Sequence, residues 1–394
     1  MHVEPHALRL GREEPDAERD VRLLTELGRT RHDKRHRHLG YPLNQDFDYR
    51  ALSELLDTPW YSIGFADEPD RLGLGADAFE REILAFFAEI LKAPPGEVRG
   101  FLPTGSTEGN QWGCLLGRQA LPRAPLYFSR AAHFGIRRVA ELLRMEPVEV
   151  ATLDDGRMDL DDLEHACSLR RGRGAVVVNT AGTTMLGAVD DIVGLRSAAR
   201  PAGDVFVHTD AALSGLILPF VDEDVPFAFD AGADSVTISA HKMIGLPMPC
   251  AIALARSEHI PQGHDVEYVG ISDSIVKCSR DAYTPLLLWY ALRRLGTPGL
   301  TRRAHHCLGT AAYAVDRLKD GPGKAWRHPH SITVVLASID ASLAHHWHMA
   351  VENGVSHIVT APHVTRADID RFAESLRAET SRHTTDPAPS NPAR

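Results

Sequence analysis

At 394 residues, 43% hydrophobic and 24% charged, the chain has room for one large and one smaller folded unit and the composition of a soluble globular protein. A net charge of −10 without a basic block argues against nucleic acid or a membrane as partner and leaves small-molecule chemistry. Five cysteines with no Cys-x-x-Cys pair, and an amino terminus without an apolar signal-like core, predict a cytoplasmic protein; the 21 histidines are scattered and show no metal-ligand spacing.

Taken in order, the first 40 residues are polar and charged, with one amphipathic helix predicted over 17–27, and read as an arm or a frayed end. Residues 41–49, YPLNQDFDY, are an aromatic loop. Phe79, Ile83, Phe86, Phe87, Ile90 and Leu91 recur at helical spacing and predict a helix lying on a core. In the stretch FLPTGSTEGNQWGCLLG a short strand breaks into a turn from Thr104 to Asn110 and continues as a helix. Small residues there let the backbone approach an anion, Ser106 and Thr107 offer hydroxyls, and the helix start offers free N–H groups. Such a turn is also common without any ligand.

Apolar runs then alternate with helical patterns: strands at 126–128, 148–151, 175–178, 205–207, 236–238 and 251–255, with helices at 136–144, 160–168 and 195–200 among them. The alternation predicts an α/β fold with a mostly parallel sheet covered on both faces. His133 follows the first of these strands, where it can sit over the strand ends, although a lone histidine is more often structural. Residues 179–184, NTAGTT, put more hydroxyl donors at the same edge. Beyond Pro285 the pattern changes to helices at 286–295 and 302–318, strands at 331–336 and 357–360, and helices at 343–351 and 367–376, a smaller α+β unit. The tail from Glu379 is polar and Pro-rich and reads as disordered. The resulting division is an arm over 1–55, a large domain over 56–290, a small domain over 291–378 and a tail over 379–394.

Two residues organise the rest. Asp210 ends the strand begun at Val205, and Lys242 follows the strand 236–238, so both reach the carboxyl edge where open α/β sheets bind ligands. An aspartate and a lysine at neighbouring strand ends point to pyridoxal phosphate: the amine forms a Schiff base with the aldehyde, and the carboxylate pairs with the pyridine nitrogen. Taken singly, each is more often a surface charge.

Together these residues resemble the fold-type-I, aspartate aminotransferase-like pyridoxal phosphate enzymes, and within them the group II amino acid decarboxylases, especially bacterial histidine decarboxylases and plant serine decarboxylases. The resemblance runs from LGYPLNQDFDY through TEGN, HTDAALSGLILPF and SAHKMIGLPMPC to His357-Ile358-Val359. It implies pyridoxal 5′-phosphate as cofactor, Lys242 as the Schiff-base lysine, Asp210 as the pyridinium partner and Ala212 against the ring. It further implies His133 stacked over the cofactor, phosphate-side positions at Ser106, Thr107, Ser239 and His241, and cofactor contacts at Asn110 and Thr180. Tyr268 resembles a mobile-loop tyrosine that reaches the neighbouring subunit's site, and Ser279 a phosphate contact from the neighbour. A homodimer with active sites at the subunit interface follows.

The reaction implied is α-decarboxylation of an L-amino acid, histidine to histamine as the nearest assignment, with Tyr268 or His133 returning a proton to Cα. Two departures bear on the substrate. Where those relatives carry Asn-Asn this chain has Gly64-Phe65, and where they carry Ser-Arg-Asn-Gly-His it has Ser279-Arg280-Asp281-Ala282-Tyr283. With Phe65 and Tyr283 in the pocket, valine or another aliphatic amino acid, serine and methionine compete with histidine. A decarboxylation-dependent oxidative deaminase is the alternative reaction.

Overall fold

The computed structural model describes residues 16–68, 73–267 and 271–385. Helix α1 (Ala17–Asp33) starts on Asp16, whose carboxylate accepts the Arg19 N–H at 2.9 Å. Glu18 and Asp20 in its first turn and Arg31 and His32 in its last suit the helix dipole, and it continues beyond the predicted end at 27. The 41–49 stretch has no regular structure but is clamped. Asn44 Nδ2 donates to the carbonyls of Met243 and Ile244 at 3.0 and 3.1 Å, and the Tyr49 hydroxyl donates to Gly245 O at 2.8 Å. Next come strand β1 (Tyr61–Ile63) and helix α2 (Asp77–Ile90), which buries Ile83 and Phe87 as its periodicity predicts.

The main sheet is built from β2 (Val98–Phe101), β3 (Leu126–Ser129), β4 (Pro147–Val150), β5 (Ala175–Thr180), β6 (Val205–Asp210), β7 (Ser235–Ser239) and β8 (Ala251–Arg256). Its order is β2-β8-β7-β6-β5-β3-β4, and only β8 runs against the others. Between the strands lie α3 (Ser106–Ala120), α4 (Gly135–Leu142), α5 (Leu160–Ser168), α6 (Ile192–Ala199) and the single turn α7 (Ala240–Met243). The strands read as unbroken apolar runs because both faces are covered. Val176, Val178 and Phe206 pack with Trp112 and Leu116 of α3, while Val177 and Ala175 pack on the opposite side with Leu163 and Leu195. The chain order reverses beside β3, which makes the crevice at the carboxyl ends of β3 and β5 the expected binding edge.

Strands β9 (His264–Val266) and β10 (Ile271–Asp273) form an antiparallel ribbon, and β11 (Ser279–Asp281) pairs antiparallel with β1. The two predicted helices after Pro285 form one long element, α8 (Tyr283–Leu318), broken at Gly296, where φ is 57° and Pro298 follows. The small sheet, in the order β12-β14-β13, comprises β12 (Thr333–Ala337), β13 (Val351–Glu352) and β14 (Val355–Val359), with α9 (Ala341–His346) and α10 (Arg366–Thr385) around it. Here the helix predicted over 343–351 is corrected. It stops at His346, His348 turns the chain with φ 47°, and β13 folds back on β14 through Asn353-Gly354, a dipeptide with the positive φ values of a tight hairpin turn. Helix α10 runs to Thr385, past Glu379, since no proline interrupts it before Pro387. Leu39 is buried with Phe372 and Trp347 in the core of this small unit. No described helix is long and apolar enough to cross a membrane.

Candidate active site

Five loops deliver side chains to one cavity of about 930 Å³ at the carboxyl edge of the sheet. Ser106, Thr107 and Asn110 come from the start of α3; His133 from the turn after β3; Thr180 from the end of β5; Asp210 and Ala212 from the end of β6; Ser239, His241 and Lys242 from the end of β7. The sequence selects all of these, and the fold gathers them.

Helix α3 brings its amino terminus to this edge by lying close on the sheet. An added Cβ would come within 2.6 Å of Thr237 Cγ2 at Gly109, 2.2 Å of His208 Nδ1 at Gly113 and 2.8 Å of Val176 Cγ1 at Gly117. Glycine at every fourth position is the sequence signal for this close approach, and it went unused in locating the site. The Ser106 and Ser239 hydroxyls meet at 2.5 Å, which sets two strand-end loops against the free N–H groups of the helix start. His241 is pinned to the start of β8, with Nδ1 3.1 Å from Cys250 N and 2.8 Å from its carbonyl oxygen.

The charged pair is held differently. Asp210 is nearly buried; one oxygen accepts the Ala212 N–H at 3.1 Å and the other accepts from Asn110 Nδ2 at 2.7 Å. Burial lowers the Lys242 amine below its ordinary value, against the opposing pull of Asp210, so more of it is the free base that attacks an aldehyde. Burial also lowers His133, with Asp210 opposing and Lys242 assisting. Its Nδ1 accepts the Gly135 N–H at 3.1 Å, which leaves the ring proton on Nε2. Thr180 donates its N–H to Asp190 at 3.0 Å, and its hydroxyl is buried without a partner beside the cavity.

Three other expected residues lie elsewhere. Phe65 is 1% exposed and sits in the core against Phe101 and Trp112, with the Arg99 guanidinium 3.9 Å above its ring. Ser279 lies on β11 with its hydroxyl against Tyr61, and the Tyr283 hydroxyl donates to Thr58 O at 2.6 Å. Neither lines this subunit's cavity. Tyr268 lies outside the described residues. In their place the wall includes Tyr41, Leu43, Val276 and Lys277, with His357 and Val359 from the small sheet. Sequence reasoning left these out because they come from segments far from the strand-end motifs.

A buried amine with a lowered pKa, a fixed carboxylate across the cavity, and a hydroxyl-lined helix start suit one ligand in particular: an aldehyde on a pyridine ring carrying a phosphate. The unpartnered Thr180 hydroxyl gives it one more donor. Residues 117–324 match the pyridoxal-dependent decarboxylase conserved domain. The chain is 37% identical over 347 residues to the histidine decarboxylase of Pseudomonas entomophila (strain L48), covering 86% of each chain. It is 36% identical to that of Morganella morganii, covering 88% of this chain and 93% of the other. Among solved structures, L-methionine decarboxylase from Streptomyces sp. 590 in its internal aldimine form superposes with a TM-score of 0.87 at 19% identity, covering 96% and 98% of the two chains. Glutamate decarboxylase of Lactobacillus brevis superposes at 0.81 and 16%, covering 98% and 97%. The fold is therefore the fold-type-I architecture that the sequence predicts. With site, fold and kinship in agreement, the chain belongs to the pyridoxal-dependent decarboxylase family and is a pyridoxal 5′-phosphate-dependent amino acid decarboxylase.

Proposed function

We propose that the chain converts L-histidine to histamine and CO2. The observation that carries the substrate is the 36–37% identity, over most of both chains, to histidine decarboxylases. When bound, pyridoxal 5′-phosphate supplies the electron sink for the pair left behind when the carboxyl group departs. Lys242 provides the amine that holds the cofactor, Asp210 the negative charge for its pyridine nitrogen, and His133 a cover for its face with Ala212 on the other side. Ser106, Thr107, Ser239 and His241 offer donors to its phosphate, while Asn110 and Thr180 complete the contacts. His133, with its proton on Nε2, and Tyr268 are the two donors for the proton that must reach Cα. Apolar side chains at the mouth, Tyr41, Leu43 and Val276, exclude water from the reacting carbon.

We also place the protein in the cytoplasm, in keeping with its free cysteines, as a homodimer in which Ser279 and Tyr268 serve the neighbour's site. The division at 56–290 and 291–378 separates the main sheet from the small one. Mixing Lys242→Ala and Tyr268→Phe subunits tests the shared site. Restored activity in the mixture, absent from either parent, is the expected result.

Gly64 and Phe65 stand where those relatives carry two amides, but Phe65 is packed in the core and neither residue lines the cavity, so this departure does not favour an aliphatic side chain such as valine's over histidine's. The deciding experiment is CO2 release by the purified, cofactor-loaded protein from single L-amino acids, with the amine identified by mass. Release from histidine is expected. Release from valine, serine or methionine with histidine inert overturns the substrate and keeps the reaction. Oxygen uptake with a carbonyl product in place of the amine identifies an oxidative deaminase.

A further inference from the structure

Behind Asp210 a line of hydrogen bonds runs into the protein interior, away from the cavity. Asn110 Nδ2 donates to Asp210 at 2.7 Å; Asn110 Oδ1 lies 3.0 Å from His208 Nε2; His208 Nδ1 lies 2.8 Å from Ser235 Oγ. All four residues are buried, and they tie α3, β6 and β7 together.

The direction of every proton in this line follows from its charged end. A carboxylate only accepts, so the amide nitrogen of Asn110 must face Asp210 and the amide oxygen must face His208. His208 Nε2 therefore carries hydrogen. Burial pushes the pKa of His208 down to about 4, so at neutral pH the ring holds one proton, and its bare Nδ1 accepts from the Ser235 hydroxyl. Each donor points towards Asp210. Gly113 makes the approach possible, since a Cβ there would lie 2.2 Å from His208 Nδ1 and 2.9 Å from Ser235 Oγ.

We propose that His208 and Ser235 are positioning residues for the decarboxylation, acting through Asn110 to fix the orientation of the Asp210 carboxylate and keep a donor turned towards it. This rests on the reading of Asp210 as the partner of the cofactor's pyridine nitrogen. A neutral ring with its proton locked on Nε2 is what the line requires; a neutral ring with its proton on Nδ1 would turn Asn110 around and present an oxygen to the carboxylate, and an imidazolium would reverse the Ser235 hydroxyl and remove its part in the line.

Two near-isosteric substitutions separate this role from simple packing. In His208→Gln the side-chain amide nitrogen takes the place of Nε2 and still donates to Asn110. In His208→Asn the amide reaches only the Ser235 side, and Asn110 loses its donor. Cofactor affinity of the apo-protein, read from tryptophan fluorescence quenching, and the absorbance of the bound cofactor are measured for each holoenzyme beside kcat and KM. For His208→Asn, cofactor binding weakens and kcat falls by about ten-fold, with KM within about two-fold, and His208→Gln restores most of both losses. Nitrogen-15 spectra of the histidine-labelled wild-type holoenzyme show the neutral Nε2–H form of His208 at about pH 7. Equal losses in the two variants, no loss in either, or an imidazolium or Nδ1–H form in the wild type overturns the proposal. Failure of the wild-type protein to bind pyridoxal 5′-phosphate overturns instead the reading of Asp210 on which it rests.

Discussion

Asp210 accepts two hydrogen bonds and forms no ion pair among the described residues, so its charge is available to the ligand that the cavity admits. Asp210→Asn keeps the shape and removes the charge. We expect kcat to fall by about 10²–10³-fold, the scale of losing a preorganised electrostatic contact, with far-ultraviolet circular dichroism unchanged. On the proposed role of Lys242 as the cofactor's covalent anchor, Lys242→Ala should make the holoenzyme's long-wave absorbance disappear on dialysis. Both residues were legible in the sequence because each ends an apolar run, and strand ends in such sheets converge on one edge. Phe65 was not legible in this way. The family resemblance suggests a pocket position for it, but a phenylalanine goes where it is covered, and Arg99, Phe101 and Trp112 cover it. Ser279 and Tyr283 are likewise spoken for within their own subunit, by Tyr61 and Thr58. From sequence alone nothing distinguishes a residue that serves its own site from one that serves the neighbour's.

Elements reach the site through two devices of opposite character. The first is the bare face of α3. Gly113→Ala puts a methyl against His208 and Ser235, and the helix must move away from the sheet. We expect a loss of about 1–3 kcal/mol in urea unfolding, with weaker cofactor binding because the helix start moves with the helix. The second is a buried ion pair. Arg280 on β11 donates to Glu80 on α2 at 2.7 Å and to Gly64 O at 2.6 Å, while Glu80 also accepts the Leu102 N–H at 2.8 Å. One pair thus joins the β1–β11 ribbon, α2 and the sheet edge. Arg280→Ala leaves the fully buried Glu80 charge alone, and about 3–5 kcal/mol should be lost; the double replacement Glu80→Leu with Arg280→Met should recover much of it in the same urea titration. The element pattern was largely readable from apolar periodicity. The short strands β1, β9, β10 and β11 carry too little apolar pattern to be read, and β13 was lost because the helical spacing of Leu343, Ala344 and Trp347 outweighed the Asn353-Gly354 hairpin signal that follows.

Across the whole molecule, histidines buried as neutral rings link folding to pH. Burial lowers His208 to about 4 and also lowers His241, His357 and His363, in each case as the largest cause. The unfolded chain binds a proton at each of these near the ordinary histidine value while the native chain does not, so stability rises with pH across the interval between the two values. For His208 that interval runs from about 4 to the ordinary value of 6.5, with a slope of about 1.4 kcal/mol per pH unit in its middle. Asp190 works in the opposite sense. Burial raises it to about 6 although it accepts the N–H groups of Met158 and Thr180, so below that pH the native state holds a proton that the unfolded state has released. Its contribution falls as pH rises from 3.8 to about 6. Burial also lowers His38, to about 4, and His133, His346 and His348, so one raised carboxyl against eight lowered rings leaves the histidines in control. The thermal midpoint should climb from about pH 4.5 to about pH 6.5 and then level off, since the rings are already neutral in the unfolded chain above that point. His208→Gln removes one titrating ring, and its midpoint should climb less steeply over the same range; an unchanged slope would mean that His208 carries its proton in the native state, against the direction that burial and the Asn110 contact impose.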